Sequence, residues 1–226
     1  MARALRALSS TYVERRHKLA EGAALGSAGK RAAFALFYAP LHFLLIDHIV
    51  RQLPGATTGL STVTDLGCGT GASGAAWAAA CERPPRVVGI DRNGWALGEA
   101  ASTYRAFGLA AKTKRAEAHH DTGGDAILAA FTVNELPDAS RDALLLQLLD
   151  CRRRGGRVLV VEPIAGGVAR WWSAWRREFE QAGGRADEWR VRTALPPIVA
   201  KLDRAAGLDH RELTARSLWL GRDAAV

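Results

Sequence analysis

The chain has 226 residues, 48% of them hydrophobic, which is enough for one α/β core with an extension but not for two full domains. Its formal net charge of +8 is compatible with an anionic partner such as RNA, although a basic composition does not by itself establish one. Cys68, Cys81 and Cys151 are far apart, which argues against a disulfide framework and against a cysteine-based metal site. This use of cysteine favours a reducing, cytoplasmic location.

The first quarter of the chain, residues 1–55, is predicted to be helical. A basic helix is expected through about Leu19, and a second helix over Lys30–Leu53, which Pro40 should kink or divide. The apolar run Ala32–Ile46 is shorter than the roughly 20 residues that cross a bilayer. We therefore expect it to form a buried helix and not a membrane anchor.

A strand and a glycine-rich loop follow, in a segment that reads Ser-Thr-Val-Thr-Asp-Leu-Gly-Cys-Gly-Thr-Gly over Ser61–Gly71. Its β-branched residues suit a strand, and its alternating glycines allow a sharp turn and a close approach to a ligand. A helix over Ala72–Ala80 and a second strand over Arg86–Ile90 are predicted next. Asp91 then completes a βαβ unit in which a carboxylate can accept hydrogen bonds from ribose hydroxyls.

Two kinds of cofactor are compatible with this unit. Gly67, Gly69 and Ala72 also fit the looser fingerprint of dinucleotide-binding enzymes, so an NAD enzyme is the first alternative. Asp65 argues against it, because a carboxylate at the mouth of the loop would repel a pyrophosphate by about 1 kcal/mol or more at close range. A cationic cofactor would be favoured there, and S-adenosylmethionine (SAM) carries a sulfonium and an ammonium group but no phosphate.

In order and spacing, Asp65, Gly67, Gly69, Gly71 and Asp91 resemble the signature of class I SAM-dependent methyltransferases. The resemblance implies a Rossmann-like α/β fold with a seven-stranded, mostly parallel sheet, helices on both faces and an N-terminal helical extension. Residues 1–55 would then form the extension, and residues 56–226 the SAM-binding domain. It also implies SAM as cofactor and S-adenosylhomocysteine as product.

The same resemblance implies further cofactor contacts after the later strands. A weak edge strand is predicted over Ala110–Lys114 and a buried central strand over Asp125–Phe131. One polar side chain between these strands should face the adenine amino group. Two adjacent histidines on an extended segment point to opposite sides, so no metal site is predicted there. The additional candidates for cofactor binding are Cys68, Arg92, Asn93, His119, His120, Asp121, Phe131 and Thr132.

Asn134 and Glu135 follow the predicted central strand, at the position of the fourth methyltransferase motif, and are the candidate catalytic residues. In the alternative interpretation, Asn134 caps a turn and Glu135 faces solvent or forms an ion pair. Leading helices in this family often help to form the acceptor pocket, although ordinary packing would also account for their polar and aromatic side chains. The candidate acceptor-binding residues are Tyr12, Arg16, Tyr38 and His42.

The last third of the chain is predicted to complete the fold. A helix is expected over Ala139–Cys151, a strand over Arg157–Val161 and a helix over Ala169–Ala182. The last strands are expected within Arg211–Thr214 and Ser217–Leu220, with one of them antiparallel to the rest.

This region contains an arginine cluster, Arg152 to Arg154, and a segment over Arg170–Arg177 in which arginine and tryptophan are interleaved. Arginine and tryptophan together suit phosphate pairing and base stacking, but a helix that covers a sheet would use the same tryptophans for packing. The candidate contacts with ribosomal RNA are Arg152, Arg153, Arg154, Arg176 and Arg177.

A weaker resemblance connects the chain to the small-ribosomal-subunit methyltransferase-like family. It rests on Leu8–Tyr12, Phe37–Pro40, Asn134–Pro137 and Val160–Pro163, and the chain lacks the cysteine cluster of that family. It implies either an RNA acceptor or a non-catalytic SAM-binding protein of ribosome assembly. A pocket closed by residues 1–55 would favour a small-molecule acceptor, whereas an open arginine-lined groove would favour RNA.

Overall fold

The computed structural model describes residues 3–5, 25–118, 123–164 and 171–221. These residues contain one seven-stranded sheet in the order β3-β2-β1-β4-β5-β7-β6. In chain order the strands are β1 Thr62–Leu66, β2 Arg86–Asp91, β3 Ala111–Arg115, β4 Ala126–Ala130, β5 Arg157–Glu162, β6 Arg185–Arg192 and β7 Glu212–Leu220.

Helices cover both faces of the sheet. They are α1 Ala28–Ala33, α2 Ala39–Gln52, α3 Ala72–Ala80, α4 Gly94–Ala106, α5 Asp138–Arg153, α6 Trp172–Gln181 and α7 Pro197–Ala206. One core layer contains the apolar sides of α2 and α3, and a second contains those of α5 and α6. The predicted α/β fold with helices on both faces is confirmed.

The order of the strands determines where a ligand can bind. The neighbouring strands from β3 through β5 are parallel, and β7 is antiparallel to both β5 and β6. The chain proceeds from β1 outward to β3 and then returns to place β4 on the other side of β1. In such a sheet the crevice for a ligand lies at the carboxyl ends of β1 and β4, where the strand order reverses.

The burial of each strand agrees with its place in the sheet. Every residue of β4 and β5 is buried, as expected for central strands that helices cover on both faces. Every residue of β3 is exposed, which confirms the prediction of an edge strand.

Helices α1 and α2 form one continuous helix over residues 28–52. A π-helical turn, Phe34–Tyr38, joins them, and Pro40 follows in the first turn of α2. The helix is therefore continuous and not divided at Pro40, because a local widening accommodates a proline whose ring would clash with the preceding turn. By length and composition this helix is apolar enough to cross a membrane, but 44% of its most apolar window is buried inside the protein. Phe37 and Leu41 belong to that buried face.

The sequence analysis was wrong about the last strands. β7 is one strand and not two, and its partner is β6, a segment that was not predicted to be a strand. The sequence of β6, Arg-Ala-Asp-Glu-Trp-Arg-Val-Arg, has little apolar character, because this strand lies at the edge of the sheet and is largely exposed. Trp189 anchors it by donating a hydrogen bond from Nε1 to Ser217 Oγ at 2.8 Å.

Candidate active site

A cleft opens at the carboxyl ends of β1, β2 and β4, and the continuous helix 28–52 forms part of its wall. The glycine loop and the end of β2 contribute one side, and the turn after β4 contributes the other. The residues that line it include Phe34, His42, Gly67, Cys68, Gly69, Asp91, Arg92, Asn93, Ala116, Ala118, Phe131, Thr132, Glu135, Leu136 and Pro137.

The glycine loop brings the end of β1 against the end of β4. Gly67 has a φ of 65°, and a Cβ at that position would lie 2.5 Å from Thr132 Cγ2. The Thr132 hydroxyl lies 3.1 Å from the Leu66 carbonyl oxygen, to which it can donate. Glycine is therefore required here for two reasons, a left-handed backbone and a lack of space.

Asp91 is held by two backbone N–H groups at the end of β2. Its Oδ2 accepts from Gly69 N at 2.9 Å, and its Oδ1 accepts from Asn93 N at 2.8 Å. Asn93 in turn caps α4, since its Oδ1 accepts from the N–H groups of Trp95 and Ala96. The carboxylate is thus oriented at the wall of the cleft, with lone pairs left for the hydroxyls of a ligand.

Asp65 does not lie at the mouth of the loop, and that prediction was wrong. Its side chain is 1% exposed, and Oδ2 accepts a hydrogen bond from Gly74 N at 2.9 Å near the start of α3. A strand end followed by a helix places this carboxylate beneath the loop, where the first free N–H groups of the helix attract it. Burial raises its pKa to about 7.

Asn134 and Glu135 lie in the same turn but have different surroundings. Glu135 lines the cleft, and burial raises its pKa to about 7. The Asn134 side chain instead points away, where it donates from Nδ2 to Glu162 Oε2 at 2.6 Å and accepts from Trp171 Nε1 at 2.9 Å. Of the two candidates only Glu135 lines the cleft, and the catalytic role of either residue stays a prediction.

Aromatic side chains line the cleft where the helix 28–52 forms its wall. His42 stacks on Phe131 with ring centroids 4.0 Å apart and an angle of 20° between the planes. Phe34 and Tyr38 approach His42 at 6.0 Å and 6.4 Å, and the Phe34 ring lies in van der Waals reach of Gly69. Burial lowers the pKa of His42 to about 4, so its ring is neutral at physiological pH.

Phe131 has a left-handed backbone, with a φ of 58°. We expect the variant Phe131→Gly to be more stable than Phe131→Ala by about 1 kcal/mol, because both lose the ring and only alanine keeps the strained Cβ. At positions inside a helix or a strand the order is reversed, and a glycine variant is less stable than an alanine variant. Urea unfolding of both variants checks this, and a more stable alanine variant would contradict it.

Three buried carboxyl groups give the stability of the protein a definite pH dependence. Burial raises the pKa of Asp65 and Glu135 to about 7 and that of Glu162 to about 8, against ordinary values of 3.8 for Asp and 4.5 for Glu. Between about pH 6.5 and 8 the folded state therefore holds protons that the unfolded state has already lost. Throughout this range the folded His42 ring is neutral, while in the unfolded state it is about half protonated at pH 6.5 and nearly neutral by about pH 7.5, so its opposing contribution is smaller than that of the three carboxyls.

The free energy of unfolding is accordingly expected to fall as the pH rises from about 6.5 to 8. Each group lowers it by up to about 1.4 kcal/mol per pH unit while its folded form stays protonated. Urea titrations across this range measure the slope, and Glu135→Gln should make the fall shallower. Stability that is flat or increases with pH would show that these carboxyls are already ionised.

Several predicted site residues lie outside the described residues. They are Tyr12, Arg16, His119, His120 and Asp121. Within the described ranges, no group of three or more His, Cys, Asp or Glu side chains could hold a metal ion. No local sequence pattern marks Phe34 as a lining residue of the cleft or Glu162 as a partner of Asn134, since only the folded chain brings them to the glycine loop and to Asn134.

The arginine groups do not lie at the cleft. Helix α5 begins after the carboxyl end of β4 and ends before the amino end of β5, so Arg152, Arg153 and Arg154 lie at the opposite edge of the sheet. Arg154 borders a separate hollow with Ser61 and forms an ion pair with Asp150. On the outer side of α6, the exposed guanidinium of Arg176 pairs with Glu180 at 2.7 Å, and Arg177 is exposed as well.

Comparisons with known proteins agree with this geometry. Residues 63–156 match a family model described as a methyltransferase domain. No curated protein sequence matches the chain.

Solved structures with the same fold have low sequence identity to this chain. An O-methyltransferase family protein from Burkholderia thailandensis has a TM-score of 0.58 at 16% identity, over 91% of this chain and 63% of that chain. Magnesium protoporphyrin IX methyltransferase from Synechocystis PCC 6803, with bound SAM, has a TM-score of 0.51 at 16% identity, over 93% and 92%. The cyclase SpnF has a TM-score of 0.52 at 18% identity, over 88% and 84%.

At these identities the structural likeness establishes the fold, and the cyclase demonstrates that the fold alone does not determine the reaction. The matched residues begin in β1, include the glycine loop and Asp91, and end just before β5. Residues 63–156 are thus similar to a methyltransferase domain, and the chain has the fold of these solved structures.

Proposed function

We propose that this protein is a SAM-dependent methyltransferase of the cytoplasm that acts on a small-molecule acceptor and releases S-adenosylhomocysteine. The observation that carries the proposal is the Asp91 carboxylate, which the Gly69 and Asn93 N–H groups orient at the wall of the cleft. A carboxylate at the end of the second strand is the group that accepts hydrogen bonds from ribose hydroxyls in this type of fold.

The residues of the cleft fit each part of SAM. Gly67 and Gly69 line the cleft and have no side chain, so a ligand can approach the backbone of the loop closely. Ala116, Ala118 and Leu136 provide apolar surface beyond Asp91 for an adenine ring. The Glu135 carboxyl suits a cationic group, since an opposite charge stabilises its ionised form.

When bound, SAM would supply an electrophilic methyl group on a sulfonium. The contribution of this chain is alignment and the exclusion of water, and alignment can account for about 7–11 kcal/mol of the barrier. Phe34 and His42 line the cleft from the helix 28–52, and Phe131 stacks against His42. Where the acceptor must lose a proton, Glu135 is the candidate base, because burial raises its pKa to about 7, near physiological pH.

Two observations favour a small molecule over RNA as the acceptor. The helix 28–52 forms one wall of the cleft with the apolar and uncharged rings of Phe34 and His42, not with basic side chains. The cluster Arg152 to Arg154 lies at the other edge of the sheet, so it cannot guide a phosphate backbone to the cleft.

The test is transfer of labelled methyl from SAM into a host-cell extract that is then separated into RNA, protein and small-molecule fractions. We expect label in the small-molecule fraction, and we expect it to disappear with the variant Asp91→Ala. Label in RNA would overturn the choice of acceptor. An absence of label with SAM binding intact would favour the alternative, a SAM-binding protein of ribosome assembly without turnover.

A further inference from the structure

Glu162 is a buried carboxyl group that the proposed reaction does not use. It is the last residue of β5, and its side chain is 1% exposed. Both of its oxygens point to Asn134. Oε1 accepts from Asn134 N at 3.1 Å, and Oε2 accepts from Asn134 Nδ2 at 2.6 Å.

Asn134 connects this strand end to helix α6. Its Oδ1 accepts from Trp171 Nε1 at 2.9 Å, and the Trp171 ring packs against Trp175 with centroids 4.8 Å apart. The Asn134 side chain therefore donates to one element and accepts from another. Because the amide nitrogen must donate to Glu162 and the amide oxygen must accept from Trp171, only one of the two flipped orientations of the Asn134 amide satisfies both partners.

Arg141 of α5 holds the same turn from its other side. Its Nη2 donates to the Leu136 carbonyl at 2.6 Å, and its Nε donates to the Val133 carbonyl at 3.3 Å. Three elements thus hold the turn that follows β4. The residues of this turn that face the cleft are Thr132, Glu135, Leu136 and Pro137.

We propose that Asn134 and Glu162 are positioning residues that hold the turn 132–137 in the shape that binds SAM. The inference rests on the proposed function, because it assigns the turn to the cofactor cleft. Asn134 and Glu162 act through the residues beside them and do not themselves line the cleft. A preorganised wall reduces the ordering that a ligand must otherwise induce, so its loss appears as weaker binding.

The polarity of this pair allows an exchange test. The test is made at a pH above about 8, where the Glu162 carboxyl is ionised in spite of its raised pKa. There Glu162→Gln places an amide donor against one of the two Asn134 donors, and Asn134→Asp places a carboxylate against the Glu162 carboxylate. The double variant Asn134→Asp with Glu162→Gln restores complementary partners. The new glutamine can donate to the new aspartate and still accept from the backbone N–H of residue 134, and Trp171 Nε1 keeps an acceptor. Its formal charge equals that of the wild type.

Calorimetric titration with SAM is expected to give a dissociation constant at least about tenfold higher for each single variant, which is the usual effect of a mismatched buried hydrogen bond. The double variant is expected to return to within about threefold of the wild type. The matched control is Asp203→Asn, which alters a buried carboxyl in α7 that accepts from His210 N at 3.0 Å and does not line the cleft. This control should bind SAM like the wild type even where it lowers the melting temperature.

Single variants with unchanged affinity, or a double variant no better than the worse single, would overturn the proposal. The same holds if the Asp203→Asn control weakens binding equally, since the effect would then follow general stability.

A second measurement does not depend on the cofactor. The Trp171 indole N–H, assigned with Trp171→Phe, should exchange slowly with solvent in the wild type and the double variant, and faster in Asn134→Ala. Fast exchange in the wild type would overturn the inference by itself. If the wild type shows slow exchange but binds no SAM, the proposed function is refuted. The inference then fails with it, because the turn would have no cofactor to position.

Discussion

Replacement of Asp91 by alanine is expected to weaken SAM binding by at least about tenfold. The ribose hydroxyls would lose a charged acceptor, and hydrogen bonds to charged groups are worth about 1.5–3 kcal/mol each. Alanine also leaves Gly69 N and Asn93 N without their partner, so the loop loses an anchor at the same time. Calorimetric titration with SAM measures the combined loss.

The variant Asp91→Asn separates these two contributions. Asparagine keeps the shape of the side chain and one accepting oxygen, but its amide cannot accept from both backbone N–H groups. We expect an affinity between those of the wild type and Asp91→Ala. Unchanged affinity in Asp91→Ala would contradict the placement of the ribose at the end of β2.

Gly67→Ala is expected to destabilise the protein by about 2–5 kcal/mol. A left-handed backbone costs a residue with a Cβ about 1–2 kcal/mol, and steric overlap in a packed region costs a further 1–3 kcal/mol. The overlap here is with Thr132, which is 9% exposed and cannot turn away without losing its hydrogen bond to Leu66. Urea unfolding measures the change.

Gly59→Ala is the matched control, because Gly59 has a φ of 60° and nothing lies within 4 Å of its Cβ position. It should lose only the backbone contribution of about 1–2 kcal/mol. Equal losses in the two variants would show that the contact with Thr132 does not restrict residue 67.

The segment from β1 to β2 was predicted almost to the residue. The predicted helix Ala72–Ala80 agrees with α3, and the strand predicted over Arg86–Ile90 differs from β2 by one residue. The signals there are local, since β-branched residues, alternating glycines and a run of alanines each favour one backbone conformation. The order of glycine loop and carboxylate is local as well, so the sequence predicts a carboxylate after the second strand, and Asp91 lines the cleft there.

Local sequence preferences did not predict the strand β6 at the edge of the sheet. β6 carries charged residues at alternate positions and little apolar surface, because much of it faces solvent. It is a strand because β7 pairs with it over eight residues, from Arg185 with Trp219 to Arg192 with Glu212. This pairing depends on where β7 lies in the folded sheet, and the composition of β6 alone does not report it.

By itself the sequence determined the type of protein: the βαβ unit, its glycine loop and the carboxylate after the second strand. These depend on backbone preferences and on spacing over about thirty residues of one α/β unit. Only the tertiary structure decided which polar side chains face the cleft. Asp65 lies beneath the loop because α3 attracts it, and Asn134 turns to Glu162 and Trp171 while its neighbour Glu135 faces the cleft. The physical reason is that buried polar groups take whichever partners the packed elements bring within hydrogen-bonding distance, and those partners come from distant parts of the chain.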